Sequence, residues 1–218
     1  MTNLKINQLS NTDCREGLAQ MIEEGLQVDC VITSPPYWGL RDYGIRKIIW
    51  DNDPECDHIW TDHLSFNFLK ESTFCVYCGA WFGILGSEPT FGLYIDHLFE
   101  VCELIWDTLK STGVFWINLG TKYLNQNLIG IPERFLIKML DRGWIRINTV
   151  IWYKPNTMPE SVKRRFTRDF EYVYVFVKNI KKYFFEQQFE RSYTEFIYSR
   201  KLLKGGIQEK NNPRQRWG

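Results

Sequence analysis

The sequence contains no long apolar run and no amino-terminal secretion signal. A membrane-spanning helix requires about 20 consecutive apolar residues, and no such run occurs within the 218 residues. The first residues, Met1 to Lys5, lack the charged and apolar regions of a signal peptide. The sequence therefore predicts a cytoplasmic protein without a membrane partner.

Glycine-rich loops of the Gly-x-Gly type are missing as well. Such a loop allows backbone amides to approach a dinucleotide closely. The nearest string, Phe82-Gly83-Ile84-Leu85-Gly86, has a different spacing and lies in a cysteine-containing segment. Internal repeats and low-complexity tracts are also absent, so the 218 residues predict one domain with a sizeable core.

Charge is balanced over the whole chain but not along it. The 27 Lys and Arg and the 26 Asp and Glu give a net charge of +1. Residues 160–218 contain fourteen of these cations and seven of these carboxylates, a net charge of +7, which leaves −6 for residues 1–159. A mixed-charge solvated surface accounts for this pattern. The alternative is that the carboxyl-terminal region faces nucleic acid.

Four metal-ligating side chains occur in two short groups between residues 50 and 87. The predicted ligands are Cys56, His58, Cys75 and Cys78, with His63 as a reserve. Cys-x-x-Cys followed by glycine is the geometry of a zinc knuckle, and four protein ligands indicate a structural ion. A redox pair or two buried thiols are the alternatives. The other cysteines, Cys14, Cys30 and Cys102, are predicted to lie in the core.

An apolar strand that ends on two prolines lies near the start of the chain. Val31 and Ile32 favour a strand buried on both faces, and Pro35 and Pro36 cannot continue its hydrogen-bond ladder. Ligands of open α/β sheets bind beyond the carboxyl ends of the strands. The turn that begins at Ser34 is therefore a candidate wall of an active site.

The chemistry of this turn suits a planar amine. The two prolines remove backbone donors and leave the carbonyl oxygens of Ser34 and Pro35 as acceptors. Tyr37 offers a flat face for stacking, so the turn could hold an extruded nucleobase. A proline-rich turn with core aromatics is the alternative.

The remaining pattern predicts an α/β fold. Helices are expected over Arg15–Glu24, Glu88–Lys110 and residues 132–142, and strands over Leu4–Leu9, Val114–Leu119, Trp144–Tyr153 and Phe170–Val177. The last two strands are predicted to be antiparallel partners. Asp13 precedes the first helix and has the side chain of a helix cap.

Four strings of the sequence resemble the amino-methylating DNA methyltransferases, the cytosine-N4 and adenine-N6 enzymes. They are Thr33-Ser34-Pro35-Pro36-Tyr37-Trp38, Val114-Phe115-Trp116-Ile117-Asn118-Leu119-Gly120, Ile151-Trp152-Tyr153-Lys154-Pro155-Asn156 and Arg168-Asp169-Phe170-Glu171-Tyr172-Val173. The first matches the Ser/Asp/Asn-Pro-Pro-Tyr/Phe motif of that family. The resemblance extends over roughly residues 5 to 185.

The resemblance implies a Rossmann-like, S-adenosylmethionine-dependent methyltransferase sheet and double-stranded DNA as substrate. The reaction would transfer a methyl group to the exocyclic amine of a flipped base, as in restriction-modification or phage self-protection. Serine at the head of the motif favours cytosine N4, and adenine N6 remains the alternative. The implied catalytic residues are Ser34, Pro35, Pro36 and Tyr37, and the implied donor contacts are Asp13, Thr33 and Ser34.

Basic side chains near the candidate site are expected to bind DNA phosphates. These are Arg41, Lys163, Arg164, Arg165 and Arg168, the last four within a basic region over residues 154–218. The alternative for each of them is a solvated surface charge.

The family's Phe-x-Gly-x-Gly donor motif has no counterpart in the sequence. We therefore expect residues 1–218 to form a partial methyltransferase domain whose sheet is incomplete. The strand before Ser34 should lack a neighbour and expose apolar surface, which a second polypeptide would cover. Such a chain would be poorly active alone. The competing expectation is an inactive, zinc-stabilised DNA-binding fragment of this fold.

Overall fold

Three helices and ten strands make up the part of the chain that the computed structural model describes, which is residues 7, 9–41, 43–63, 72–158 and 160–187. In chain order they are α1 (Cys14–Glu23), β1 (Val28–Thr33), β2 (Ile48–Trp50), β3 (Trp60–His63), β4 (Ser72–Cys75), β5 (Trp81–Gly83), α2 (Phe91–Thr108), β6 (Leu109–Leu119), β7 (Tyr123–Leu124), β8 (Asn127–Leu128), α3 (Ile131–Asp141), β9 (Ile145–Tyr153) and β10 (Phe170–Val177).

The main sheet has the strand order β1-β6-β10-β9. β1 and β6 are parallel, with Thr33 opposite Ile117, and β10 runs antiparallel to both β6 and β9. The predicted antiparallel pairing of the last two strands is thus confirmed. Because β1, β6 and β9 all run in one direction, their carboxyl ends meet the beginning of β10 at one edge of the sheet.

The core of the main sheet lies against α2, whose apolar residues recur at helical spacing. Leu98, Cys102 and Ile105 of α2 are buried, as are Phe115 and Phe176 on the sheet. α2 ends at Thr108 rather than at the predicted Lys110, because β6 begins directly at Leu109. Gly113 lies inside β6, where an added Cβ would come within 2.6 Å of the Leu109 side chain.

In the described part of the chain, β1 is an edge strand that pairs only with β6. Ile32 is 78% exposed, so the expectation that β1 is buried on both faces is wrong. Cys30 on β1 and Cys14 on α1 are exposed too, whereas Cys102 is buried as predicted. The strand predicted over Leu4–Leu9 falls mostly outside the described residues. Whether the sheet is incomplete stays a prediction.

A second, antiparallel sheet occupies the segment between β1 and α2. Its order is β2-β5-β4-β3, with Trp50 opposite Trp81 and Trp60 opposite Cys75. It corresponds to the predicted insertion over residues 50–87, although no strands were predicted there. The segment is therefore a small folded layer that contains the predicted metal ligands.

Residues 1–184 belong to one compact unit. Most of the predicted basic region beyond it, residues 188–218, falls outside the described residues. None of the three described helices has the length and apolar character that crossing a membrane requires.

Candidate active site

The turn that follows β1 is held firmly by residues on both sides. Pro35 and Trp38 are buried, and the Trp38 indole nitrogen donates to the Glu88 carbonyl at 2.8 Å. The Tyr94 hydroxyl donates to the Pro36 carbonyl at 2.8 Å. In the described residues no hydrogen bond reaches the carbonyl oxygens of Ser34 and Pro35. These two oxygens are therefore available as acceptors in the described part of the chain, and their binding of a ligand stays a prediction.

Tyr37 belongs to a hydrogen-bonded cluster that four segments assemble. Its hydroxyl donates to Glu171 Oε2 at 2.9 Å, and Asn118 Nδ2 donates to the same oxygen at 3.0 Å. Lys154 Nζ donates to Glu171 Oε1 at 2.7 Å. Asn118 lies near the end of β6, Lys154 follows β9, and Glu171 lies at the start of β10. The cluster therefore occupies the sheet edge at which α/β sheets bind ligands.

The charges of the cluster are set by its hydrogen bonds. Burial raises the pKa of Glu171, but the hydrogen bonds from Lys154, Asn118 and Tyr37 outweigh it and leave the pKa below its usual 4.5. Burial and the neighbouring Glu171 raise the pKa of Tyr37 to about 12, despite an opposing hydrogen bond from Ser34. At neutral pH the carboxyl group is thus an anion and the phenol a neutral donor.

The ring of Tyr37 is fixed as well as its hydroxyl. A Cβ added to Gly120, just after β6, would lie 2.5 Å from two ring carbons of Tyr37. Only glycine permits the backbone to approach the ring this closely. The ring is therefore placed on one side by Gly120 and at its tip by Glu171.

Three of these side chains were not among the predicted site residues: Asn118, Lys154 and Glu171. Each belongs to a string that carried the family resemblance, but no role followed from that. The signal for Glu171 was its position, since it is the one acidic residue of the strand Phe170–Val177, which is otherwise aromatic and β-branched. An acid in such a strand requires a partner.

Asp13, predicted as a donor contact, caps α1. Its Oδ1 accepts from the Arg15 backbone at 2.8 Å and from Arg15 Nε at 3.4 Å. The alternative expectation of a helix cap is therefore confirmed, and a donor contact stays a prediction. Thr33 is half-buried at the end of β1, and Ser34 is exposed.

The predicted DNA-binding cations differ in their surroundings. Arg41, Lys163 and Arg164 are exposed. Arg165 forms an ion pair with Glu160 and lies 3.6 Å over the ring of Tyr123. Arg168 donates to the backbone carbonyl of Thr121. Only the first three cations therefore lack such an intramolecular partner in the described part of the chain.

The predicted metal ligands converge in the second sheet. The ligand atoms of Cys56, His58, Cys75 and Cys78 all lie within 4.8 Å of one another. Cys56 and Cys75 sulfurs are 3.7 Å apart, and Cys78 Sγ lies 3.4 Å from His58 Nδ1. The other ring nitrogen, Nε2, lies 2.7 Å from Asn52 Oδ1, which fixes the ring. The side chain of His63, the reserve ligand, lies outside the described residues.

One thiol of this cluster favours the ionised form. Burial raises the pKa of Cys75, but hydrogen bonds from the Cys78 backbone and from His58 outweigh it and lower the pKa to about 5. Thiolates are the form that ligates metals. Three cysteines and one histidine at these distances fit a tetrahedral ion such as zinc.

Comparison with known proteins identifies the family that this chain matches. Residues 28–217 match the N6/N4 methyltransferase family, described as DNA methylase. The type II methyltransferase M.MwoI of Methanothermobacter wolfeii is 34% identical over 160 residues, which are 72% of this chain and 19% of that protein. The type II methyltransferase M.SmaI of Serratia marcescens is 28% identical over 214 residues, covering 85% of this chain and 60% of that protein.

Among solved structures, the complex of M1.HpyAVI with SAM is 16% identical, with a TM-score of 0.48, over 85% of this chain and 62% of that one. The chain thus spans less than two thirds of the length of each of these proteins. The family match nevertheless covers all strands from β1 to β10, together with the Ser-Pro-Pro-Tyr turn and the Tyr37 cluster. The chain belongs to the DNA amino-methyltransferase family.

Proposed function

We propose that the chain is the base-binding part of a DNA methyltransferase that transfers a methyl group from S-adenosylmethionine to the exocyclic amine of a flipped base. The observation that carries this proposal is the Ser34–Tyr37 turn. Within the described residues, it presents two carbonyl oxygens without a hydrogen-bond partner beside an aromatic ring held by an ionised carboxylate. Acceptors and a stacking face together suit an extruded base that carries an amine.

The carbonyl oxygens would activate the amine. The lone pair of a base amine is delocalised into its ring, which makes the nitrogen a poor nucleophile. Hydrogen bonds from the amine to Ser34 and Pro35 favour tetrahedral nitrogen, on which the lone pair is localised. The nitrogen then forms a bond to the methyl carbon while the carbon–sulfur bond of the donor breaks, and the methylated amine releases one proton to water. Most of the rate enhancement would come from alignment.

The Tyr37 cluster would hold the base and stabilise the charge. The ring offers the stacking face, and its position follows from Glu171 at the hydroxyl and from Gly120 beside the ring. Positive charge develops on the amine nitrogen as the methyl group arrives. The anionic Glu171, held by Lys154, Asn118 and Tyr37, would lie close to a base stacked on Tyr37, and fixed charges of this kind lower the transition-state energy.

The described residues fit the methyl donor only in part. S-adenosylmethionine supplies an electrophilic methyl group when bound, and Thr33 and Ser34 lie where β1 opens to solvent. Asp13, however, is engaged by Arg15. We therefore propose that Thr33 and Ser34 contact the donor and that a further strand, from a segment or a second polypeptide, adds to the open edge of β1 and completes the donor site.

Cytosine N4 is the target that we propose, because the motif begins with Ser34. Serine in this position is commoner among the cytosine-N4 enzymes that the sequence resembles, and aspartate among the adenine-N6 enzymes. Adenine N6 is the alternative, since the same acceptors suit either amine.

We further propose that Cys56, His58, Cys75 and Cys78 hold one structural zinc ion. The support is the convergence of their ligand atoms within 4.8 Å. With four protein ligands, the ion has no open position for chemistry. Its contribution would be to the stability of the second sheet.

Methyl transfer is tested with isotopically labelled S-adenosylmethionine and unmethylated genomic DNA. The expected product after digestion to nucleosides is labelled N4-methylcytosine, and labelled N6-methyladenine would instead support the alternative. Ser34→Pro is unsuitable as a control because it changes the turn, whereas Tyr37→Ala removes the stacking face and keeps the prolines. If the chain binds labelled donor weakly and methylates no DNA, even together with polypeptides that bind it in its host, the non-catalytic DNA-binding alternative replaces this proposal.

A further inference from the structure

A buried histidine of α2 packs against the second sheet, close to the turn that follows β1. His97 of α2 has no exposed surface. Its Nδ1 lies 3.1 Å from Glu88 Oε1, and its Nε2 lies 3.0 Å from Asp51 Oδ2. Its ring stacks with the indoles of Trp50 and Trp81, with centroid distances of 4.7 and 5.3 Å. We refer to Asp51, His97 and Glu88 together as the clamp.

Two carboxylates on one ring favour a positively charged imidazole. A neutral imidazole has one N–H, so one of the two carboxylates would face a ring nitrogen lone pair. Burial lowers the pKa of His97, but the hydrogen bonds and charges of Glu88 and Asp51 outweigh burial and raise this pKa above its usual 6.5. Burial also raises the pKa of Glu88, against the hydrogen bond and charge of His97, so the pair shares its proton over the same short contact. The faces of the two indoles also attract a cation. The ring therefore binds both carboxylates at once and draws them together.

Glu88 passes this constraint to the catalytic turn. Its Oε2 accepts from the Gly86 backbone at 2.8 Å, and its carbonyl accepts from the Trp38 indole at 2.8 Å. The Gly86 carbonyl accepts from Gly39 at 2.7 Å. Gly86 has a φ of +92°, and an added Cβ would lie 3.0 Å from Pro36 Cβ. The segment around Glu88 thus contacts the turn before and after Tyr37.

The backbone conformation of Asp51 also indicates that the clamp constrains the chain near it. Its φ of 54° lies in the left-handed region, which non-glycine residues adopt at a cost. Its side chain is 53% exposed, yet it faces the wholly buried His97. The ion pair and the backbone conformation therefore occur at the same residue, directly after β2.

We propose that His97 is a positioning residue, whose cationic ring holds Glu88 and thereby the Pro36–Gly39 turn that carries Tyr37. The second sheet, which supplies Asp51 and both indoles, is then a support for the turn. That the turn is catalytic rests on the proposed function. The coupling between His97 and the turn does not rest on it.

The coupling is measured through the indole N–H of Trp38 by hydrogen exchange in ¹⁵N-labelled full-length chain. In the wild type this proton should exchange slowly, because it is buried and bonded to the Glu88 carbonyl. In His97→Gln, one carboxylate loses its donor and the ring charge is gone. We expect exchange at Trp38 to be at least about tenfold faster, as for the loss of a hydrogen bond to a charged group.

The matched control is Cys102→Ala, on the same helix and also buried, but outside the clamp. It should lower the melting temperature without selectively accelerating exchange at Trp38. If the two variants accelerate Trp38 exchange equally at the same loss of global stability, His97 is an ordinary core residue and the proposal is wrong.

Two further variants keep the test decisive if His97→Gln does not fold. Asp51→Asn retains a side chain that tolerates the left-handed backbone, and Glu88→Gln retains the shape of the acid. Both should accelerate Trp38 exchange, Glu88→Gln more, because Glu88 contacts the turn directly. If the wild type transfers methyl groups, these variants should lower kcat and leave the KM for the donor unchanged. A wild type that methylates no DNA, even together with polypeptides that bind it in its host, would overturn the proposed function, while the exchange result would still decide the role of His97.

Discussion

The two sheets of this chain are stabilised by different means. In the main sheet, strands of 8 to 11 residues such as β6, β9 and β10 pack aromatic and aliphatic side chains against α2. The second sheet has strands of only 3 or 4 residues. Its contacts include stacked indoles, a Cys/His cluster and the clamp. The long strands of the main sheet bury enough apolar surface to form a core. The short strands of the second sheet bury less and depend more on specific side-chain contacts.

This difference explains where each sheet is vulnerable. Each large apolar side chain buried in the main sheet contributes about 1.5–3 kcal/mol, so no single contact decides its stability. The second sheet has shorter strands and contains titratable groups and the Cys/His cluster that we propose to hold zinc. The contrast can be tested by perturbing each kind of group in turn, and the metal ligands should give the largest effect.

Removal of zinc should unfold the second sheet and spare the main sheet. Structural zinc supplies on the order of 10 kcal/mol of folding free energy in small metal-dependent units, more than a four-stranded sheet of this size can replace. Cys75→Ser should therefore abolish stoichiometric zinc, measured by metal analysis, and remove slow amide exchange from β4 and β5. The amides of β6 and β10 should stay protected.

Cys30→Ser is the matched control, because it makes the same chemical change at an exposed position of the main sheet. It should retain full zinc content. The proposed difference between the sheets would be contradicted by substoichiometric zinc in the purified wild type. It would also be contradicted if Cys75→Ser lost amide protection in both sheets together.

The second-largest effect is expected from substitution of Glu171, the charged residue at the start of β10 in the main sheet. Glu171→Gln keeps the shape of the side chain but removes the anion that binds Lys154 and Tyr37. A hydrogen bond to a charged group is worth about 1.5–3 kcal/mol. Because each 1.4 kcal/mol corresponds to about a factor of ten in rate, methyl transfer should fall about 10- to 100-fold.

The melting temperature should change little, since the main sheet has its own core. Glu103→Gln serves as control, because that carboxylate lies on the surface of α2, outside the Tyr37 cluster, and forms a long ion pair with Arg142 at 3.8 Å. Equal activity of the Glu171 variant and the control would show that the cluster does not act in the reaction.

The main sheet could largely be predicted from the sequence. The bounds of β10, Phe170–Val177, and its pairing with β9 follow from local alternation of apolar side chains. The convergence of the metal ligands also follows from local spacing. In contrast, β3 and β5 are too short for a pattern to stand out from a loop.

What the sequence could not reveal depends on contacts between distant segments. Tyr37 and Glu171 are 134 residues apart, and nothing local indicates that they meet. The exposure of Ile32 was mispredicted for the same reason, since an apolar strand looks alike in the centre and at the edge of a sheet. The clamp could not be predicted from the sequence, because a single histidine in an apolar helix is usually a packed core residue.

A third, smaller effect concerns DNA binding through the loop between β9 and β10. Lys163 and Arg164 are exposed, whereas Arg165 and Arg168 have intramolecular partners. Replacing Lys163 and Arg164 together by alanine should lower the slope of log affinity against log salt by about 1.8, because each phosphate that the loop neutralises adds about 0.9 to that slope.

Lys181→Ala with Lys182→Ala is the matched control, since both lysines are exposed beyond the opposite end of β10. That variant has the same net charge but should leave the slope nearly unchanged. If both double variants lower the slope alike, the effect reflects net charge, and the loop is an ordinary solvated surface.

The smallest effect, and the most direct comparison of the two sheets, is the response to pH. His97 has a raised pKa, so its contribution to stability is complete below the usual 6.5 and is lost as pH rises through the folded value. Glu88 and Asp51 face this ring, and Arg15 lies over the outer face of Trp50. Raising the pH should therefore weaken the clamp.

Glu171 has a lowered pKa, so its contribution is present above the usual 4.5 and is lost as pH falls through the folded value. A rise in pH should thus destabilise the second sheet, and a fall in pH should destabilise the Tyr37 cluster. Melting temperatures between about pH 4 and 9, recorded with saturating zinc, should decline less above neutral pH in His97→Gln than in the wild type, and less at the acid end in Glu171→Gln. Parallel pH profiles of all three proteins would mean that neither charge is coupled to folding.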